Sequence, residues 1–497
     1  MLTAMGTRRR AASHGIESVC RPGRCLSALF AALALAGATQ GCSQRPRPFE
    51  SMVLVTVDTL RADHMGLFGY PRDTAPFLTR LAHEGVDFRR AYTSSSHTAP
   101  AHASLFTSLY PEQHRVLVNG VVLDKGIASM AELFRENAHA TAGFVGVGFL
   151  ASLDHGFETF DAEIPPKQRY RPAAEVVDRA VSWLQGLPPG RPFFLWVHVY
   201  DVHEHGPQAV VPEPFLSLMR EDSRRRGESL LQFLREHHGL SAPELHGNFD
   251  RYDGQLAYVD AQLRRLYQAV ERLAGRRPAL WVITADHGEG LGNHGYMGHG
   301  RHLYNEQLRV PLLVCGGHDL APRVVPDMVR LVDVLPTVAE LAGLTWKPAS
   351  LRLEGRSLLP LLDGTGPVPI DHSFAQRRPA DERRSELGWT GGRMIAAQGR
   401  RYKYIHRQDA PDELYDLEKD PHELHNLIDE DRPEGRALGL WLERKYQELR
   451  HDHRGGARSL EIEDRYIDEL TALGYLSSGK GDSGHDHIGG GDPESEP

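Results

Sequence analysis

The chain is poor in cysteine: it has 4 in 497 residues, and Cys20, Cys25 and Cys42 all lie ahead of the body of the sequence. Cys315 alone remains for the folded part. An internal disulfide framework is therefore excluded there, as is a zinc module built on two or more thiolates. Long hydrophobic runs are also scarce. The run Leu26–Ala38 holds 13 residues, short of the ~20 that a membrane-spanning helix needs, and no later segment reaches that length. An excess of basic charge is missing too. Lys+Arg number 57 against 66 Asp+Glu, a net charge of -9 spread along the chain, which argues against a nucleic-acid binder built on a basic patch. The 40% hydrophobic and 25% charged content fits one large globular domain, alone or with a small companion. Histidine, by contrast, is plentiful at 27. That directs attention to metal or phosphoryl chemistry without identifying a site.

The N-terminus reads as an address. Arg8, Arg9, Arg10, Arg21 and Arg24 precede the apolar run, as in a secretory signal. The run ends in Thr39-Gln40-Gly41-Cys42, the small-residue-then-cysteine pattern of a bacterial lipoprotein signal; cleavage after Ala36-Gly37-Ala38 is the competing reading. Residues 1–41 are thus expected to be a lipoprotein-type signal and 42–50 a polar, Pro-containing tether. The mature protein is expected outside the cytoplasm, in a bacterial periplasm or on the outer surface. Its only membrane contact would be a lipid on Cys42.

In the body, Met52–Val57, Phe193–Val199, Ala279–Thr284 and Val310–Val314 are short, continuous apolar runs. Such runs predict parallel strands covered on both faces. Helical patterns lie between them, at Pro76–His83, Met130–Glu136, Ala173–Leu184 and Tyr258–Leu273. This alternation predicts an α/β sandwich with a mostly parallel sheet. The stretch His205–Asp250 reads as a charged, irregular insertion. Met394–Ala397 and Tyr402–His406 predict an antiparallel hairpin. With the amphipathic stretch Arg436–Leu449, the hairpin suggests a small α+β C-terminal domain. The expected boundaries are 51–368 for the large domain, 369–476 for the small one and 477–497 for a disordered tail.

Three predicted strands end near aspartate: Asp58, Asp201, and Asp286 followed by His287. Ligands of open α/β sheets bind at the carboxyl ends of strands. Carboxylates gathered there repel one another unless a cation lies between them, so Asp58, Asp286 and His287 read as a divalent-metal site. In Ser94–Ser108, Pro100 suits the first turn of a helix. Thr98 would then lie at the N-terminus, where free N–H groups favour an anion. A hydroxyl there, beside a metal, is set up for attack on a phosphoryl or sulfuryl group; capping the helix is the plainer role for the same residue. Asp63 and His64 read as turn contacts, His198 as a core histidine and Asp260 as a helix-dipole partner. His294 is left open.

The segment Val53–Tyr70 resembles the opening of the sulfatase family, within the alkaline phosphatase superfamily. Thr284–Gly295, Leu303–Leu313, Glu354–Leu362 and Glu413–Leu427 follow in that family's order. The resemblance implies an alkaline-phosphatase-like sandwich and a metal-dependent hydrolase of sulfuric or phosphoric esters. It implies Asp58, Asp286 and His287 as metal ligands and Thr98 at the nucleophile position. It also implies His203 on the transferred group, His299 facing the leaving group or oxyanion, and His102 and Asp201 near substrate. The substrate would be a small-molecule, glycan or lipid ester. One divalent ion (Ca, Mg, Mn or Zn) is expected; Asp201, His203 or His205, and His299 could supply a second.

The sequence also departs from the pattern. Formylglycine sulfatases carry Cys or Ser in C/S-x-P-x-R, whereas this chain reads Thr98-Ala99-Pro100-Ala101-His102. Threonine cannot become the aldehyde, because its β-carbon bears a methyl group, so no formylglycine is expected. Thr59 stands where a second acid is usual, and Phe144–Gly148 lacks the Lys-x-His element. A direct threonine nucleophile acting on phosphate esters is the expectation. A membrane-tethered phospho-group transferase and a catalytically silent binding protein are the alternatives.

Overall fold

The computed structural model describes residues 49–238, 245–274, 278–317, 320–345, 352–377, 392–452, 462–473 and 475–476. The leader, most of the tether and the 477–497 tail fall outside them. In chain order the strands are β1 (Met52–Val57), β2 (Val86–Tyr92), β3 (Ala140–Val145), β4 (Thr159–Asp161), β5 (Phe193–Val199), β6 (Leu280–Thr284), β7 (Gly290–Leu291) and β8 (Met297–Gly298). They continue with β9 (Arg309–Gly316), β10 (Arg323–Arg330), β11 (Ser373–Arg377), β12 (Met394–Gln398), β13 (Tyr402–Arg407) and β14 (Glu413–Asp416). Eight of them form the central sheet, in the order β10-β2-β9-β6-β1-β5-β3-β4. β1 is buried along its whole length, as a strand covered by helices on both faces must be.

Register decides where the chemistry lands. β1 pairs in parallel with β5, Val57 opposite Val199, and with β6, Thr56 opposite Thr284. The Asp58 N–H extends the ladder to the Val199 carbonyl at 2.9 Å. The segments after β1, β5 and β6 therefore leave the sheet side by side at its carboxyl edge.

Two expectations are corrected. The apolar run Val310–Val314 predicts a parallel strand, whereas β9 runs antiparallel to both β6 and β2. A parallel neighbour needs a crossover, usually helical, that carries the chain back to the opposite end of the sheet. Between β6 and β9 the chain instead makes the small β7–β8 hairpin and a four-residue helical turn, Asn305–Leu308, so it re-enters the sheet from the same end. An apolar run reports burial, not direction. The stretch after His205 is not irregular either: it holds helices Phe215–Arg226 and Glu228–His238 and the start of Leu245–Ala274. Its acids are partly internal. Asp250 and Asp253 pair with the buried Arg72 at 2.7 and 2.6 Å, a polar face that hid the helical period.

β11 to β14 form a separate antiparallel sheet, with Met394–Gln398 paired to Tyr402–Arg407. Leu438, Leu442, Tyr446 and Leu449 of helix Pro433–His451 cover it, packing on Phe374, Ile395 and Ala397. Its edge reaches the large sheet's loops: the Gln376 N–H donates to the Ser94 carbonyl at 2.9 Å. The stretch after residue 461 turns back to the main core, where Tyr466, Leu470 and Leu473 are buried. Among the described residues, no helix is long and apolar enough to cross a membrane.

Candidate active site at the carboxyl edge of the sheet

Thr98 opens a helix, Thr98–Thr107, every residue of which is buried. Its Oγ lies 3.4 Å from His287 Nε2. The helix start is held by two side chains. Asn119 Oδ1 accepts the Ala99 N–H at 2.9 Å. His102 reaches back one turn, Nδ1 being 2.8 Å from the Thr98 carbonyl. Its other nitrogen lies 3.0 Å from Thr56 Oγ, and that oxygen also accepts the Trp196 indole N–H at 2.9 Å. The Thr98 carbonyl can only accept, so His102 Nδ1 carries the ring's proton and Nε2 accepts from the Thr56 hydroxyl. Burial pushes its pKa down to about 3, so the ring is neutral. His102 thus anchors the turn that carries the hydroxyl, and its two nitrogens are both engaged inside the protein.

The carboxylates meet behind this turn. Asp286 Oδ1 accepts the N–H groups of Thr59 at 3.2 Å and His287 at 2.9 Å. Asp286 Oδ2 and Asp58 Oδ1 are buried and accept no hydrogen bond. His287 Nδ1 lies 2.9 Å from the Gly288 carbonyl; donation there leaves the Nε2 lone pair facing Asp286 and Thr98. Ligand atoms of Asp58, Asp286 and His287 all lie within 4.8 Å of one another. Burial, then the neighbouring Asp286, pushes the Asp58 carboxyl well above its usual range. Burial pushes Asp286 the same way, but the His287, His102 and His198 rings hold it below. Two unsatisfied carboxylate oxygens and one imidazole lone pair are a donor set that fits one divalent cation. His102, His198 and Asp286 also lie close together, but both His102 nitrogens are engaged, so that group does not fit. His198, expected in the core, lies with Nε2 3.2 Å from Asp58 Oδ2. Burial pushes it down to about 4, so it is neutral and orients that carboxylate by donating to it.

Thr59 adopts φ 55°, a left-handed conformation that a β-branched residue rarely takes. Tyr252, from helix Leu245–Ala274, holds this turn. Its hydroxyl donates to the Thr59 carbonyl at 2.7 Å and accepts the Arg61 N–H at 2.9 Å. Strain of this kind collects at functional sites, here at the turn that aims Asp58.

Three further histidines face the same space. His299 Nδ1 lies 3.3 Å from both oxygens of the buried Glu289, and His205 Nε2 lies 3.2 Å from one. Burial pushes the Glu289 carboxyl up, but His299 and His205 together hold it well below its usual range. Glu289 therefore fixes the His299 ring, leaving Nε2 to face outward beside His203 and His287, with ring centroids 4.9 and 4.5 Å away. His203 stacks on Tyr200 at 4.3 Å.

Of the residues singled out in the sequence, Asp58, Thr98, His203, Asp286, His287 and His299 are brought together. Asp201 is not: its Oδ2 accepts the Ala173 N–H at 2.9 Å, at the start of helix Ala173–Gly186. Its burial pushes it up to about 7. The set expected for a second ion does not converge, since Asp201 turns away and His205 and His299 share Glu289. Asp63 pairs with Arg61 and His64 with Asp253, while Asp260 receives the Phe77 and Leu78 N–H groups. His294 bridges Glu306 and the Glu423 carbonyl. Glu289 and Tyr475 were assigned no role from the sequence. The first lies within the Asp286–Glu289 motif; the second follows every motif and carried no signal.

The chain matches the sulfatase family model over residues 50–344. It matches the C-terminal model of N-sulphoglucosamine sulphohydrolase over residues 292–452. It is 28% identical over 435 residues to the uncharacterized sulfatase YidJ of Escherichia coli, covering 77% of this chain and 84% of that one. It is 26% identical over 442 residues to a Δ4,5-hexuronate-2-O-sulfatase of Bacteroides thetaiotaomicron, covering 80% and 87%. The phosphonate monoester hydrolase of Agrobacterium radiobacter shares the fold, with a TM-score of 0.63, 22% identity and coverage of 81% and 96%.

Proposed function

This chain belongs to the sulfatase family and is a hydrolase of sulfate or phosphate esters, and on that premise we propose that Thr98 itself is the nucleophile, with phosphate esters preferred over sulfate. The observation that carries the reading is the position of its hydroxyl. It opens a fully buried helix, 3.4 Å from His287 Nε2 and beside carboxylates with unsatisfied oxygens. Asp58, Asp286 and His287 would hold one divalent ion, which supplies charge neutralisation and lowers the pKa of a nearby hydroxyl. Thr98 Oγ loses its proton to solvent and forms an O–P bond as the ester P–O bond breaks in line. His299, oriented by Glu289, gives the leaving oxygen a proton, and His203 hydrogen-bonds the transferred group. Water then attacks phosphorus, the Thr98 O–P bond breaks, and the hydroxyl is restored. Sulfate is disfavoured because threonine offers no second hydroxyl to expel it, and a formylglycine cannot form on this residue.

The test is turnover of aryl phosphate monoesters and diesters and of an aryl sulfate by the metal-loaded chain and by Thr98→Ala. Loss of turnover in the variant with metal retained, and a trapped phosphothreonine at position 98, are expected. Sulfate turnover above phosphate turnover would sink the preference. We further propose that the N-terminal leader exports the chain and that Cys42 carries a lipid anchor, a reading supported by the basic stretch, the apolar run Leu26–Ala38 and the Gly41-Cys42 pair that follows it. Fatty-acid labelling that survives Cys42→Ala would refute the anchor.

A further inference from the structure

Tyr475 arrives at the site from far outside the matched motifs. The segment that carries it packs Leu470 and Tyr466 into the main core. It is pinned by the Glu469 carboxylate, which accepts the Gly148 N–H at 2.5 Å, and by the Glu463 N–H donating to the Gly120 carbonyl at 3.3 Å. The Tyr475 N–H closes on the Leu470 carbonyl at 2.8 Å. These contacts set the ring against Phe149, centroids 5.8 Å apart, at the carboxyl end of β3. Its hydroxyl oxygen lies 3.0 Å from His203 Nε2, 3.4 Å from His299 Nε2 and 3.4 Å from the Tyr200 hydroxyl. Thr98 Oγ lies 3.4 Å from Nε2 of His287, whose ring centroid stands 4.5 Å from that of His299.

One oxygen is therefore shared by the imidazole assigned to the transferred group and the imidazole assigned to the leaving group, and His287, the neighbour of the nucleophile, stands beside the second. A hydroxyl so placed borders the space where the reacting ester must sit. We propose that Tyr475 is a catalytic residue of this site: its phenolic O–H donates a hydrogen bond to a non-bridging oxygen of the transferred group, and in the free enzyme it rests on His203 and His299. This inference builds on the Thr98 reading. The interaction is worth most where charge builds up on that oxygen in the transition state. A neutral donor does so without adding a cation to a site already lined with imidazoles.

The experiment is Tyr475→Phe in the full, metal-loaded chain, which deletes one oxygen and keeps the ring on Phe149. For whichever ester the wild type hydrolyses, kcat/KM should fall ~10- to 100-fold, mainly in kcat, because the donor acts on the transition state. Metal content and thermal midpoint should stay unchanged. Orthovanadate, which mimics the transferred group, should bind at least tenfold more weakly, an effect that packing alone would not produce. Unchanged kinetics and vanadate affinity would overturn the proposal. So would a faster variant, which would make the phenol an obstruction, or an activity loss matched by loss of metal. If the wild type hydrolyses no ester, the Thr98 reading fails, yet vanadate still reports on Tyr475: weaker binding by the variant supports it. Equal binding, or none by the wild type, overturns it.

Discussion

His102 occupies the position where the family motif places an arginine near substrate, but the structure gives it an internal task, and the two roles predict different outcomes. His102→Leu keeps the bulk against Trp196, whose ring centroid is 5.2 Å away, and strands two partners, the Thr98 carbonyl and the Thr56 hydroxyl. Each stranded buried group costs about 1–3 kcal/mol, so the variant should lose about 2–6 kcal/mol at pH 8. The loss must depend on pH. The wild-type ring is held at about 3 by burial, against 6.5 when exposed. Between these values the unfolded chain binds the extra proton, so wild-type stability falls as pH drops through that window. At pH 5 the wild type has already given up about 2 kcal/mol from this residue, and leucine has no such penalty. The gap between the two proteins should therefore narrow by about 2 kcal/mol from pH 8 to pH 5. Chemical denaturation at the two pH values, followed by tryptophan fluorescence, measures it. Activity should fall through kcat, because the Thr98 turn loosens. A gap that does not change with pH, or a variant of full stability with only KM raised, would refute the internal role and return His102 to the substrate.

Asp201→Asn tests the other relocated residue: asparagine keeps an acceptor for the Ala173 N–H and removes a carboxyl that burial pushes up to about 7. The folded state holds its proton longer than the unfolded state, so wild-type stability falls as pH rises from about 4 to 7. The variant should gain on the wild type by about 2–3 kcal/mol between pH 5 and 8, with activity within about twofold at a site it does not touch. Addition of Mn²⁺ or Ca²⁺ to metal-stripped protein should raise stability by about 2.7 kcal/mol at a hundred times the dissociation constant. Asp286→Asn should abolish that shift, and an unchanged shift by calorimetry would remove Asp58, Asp286 and His287 as the ion's ligands.

The readable parts of the site were those where a local pattern and a non-local contact coincide. β1 and β6 are apolar runs that stop at acids, and their parallel pairing alone puts Asp58 beside Asp286. Asp201 shows why the pattern misleads by itself. It too follows an apolar strand, yet a single turn of 3-10 helix, Asp201–His203, swings its carboxylate onto the Ala173 N–H while presenting His203 to the site. That choice depends on a helix end 28 residues earlier in the chain. The direction of β9 is hidden for a similar reason: strand sense is fixed by what the connection builds, here a hairpin and a short turn in place of a crossover helix, which an apolar run does not encode. Tyr475 lies at the limit of such reading. Its partners His203 and His299 are 272 and 176 residues away, its own neighbourhood carries no motif, and only the packing of Leu470 and Tyr466 on the main core decides that its hydroxyl reaches them. A substitution at Leu470 should therefore register in catalysis as well as in stability, although it touches none of the reacting groups.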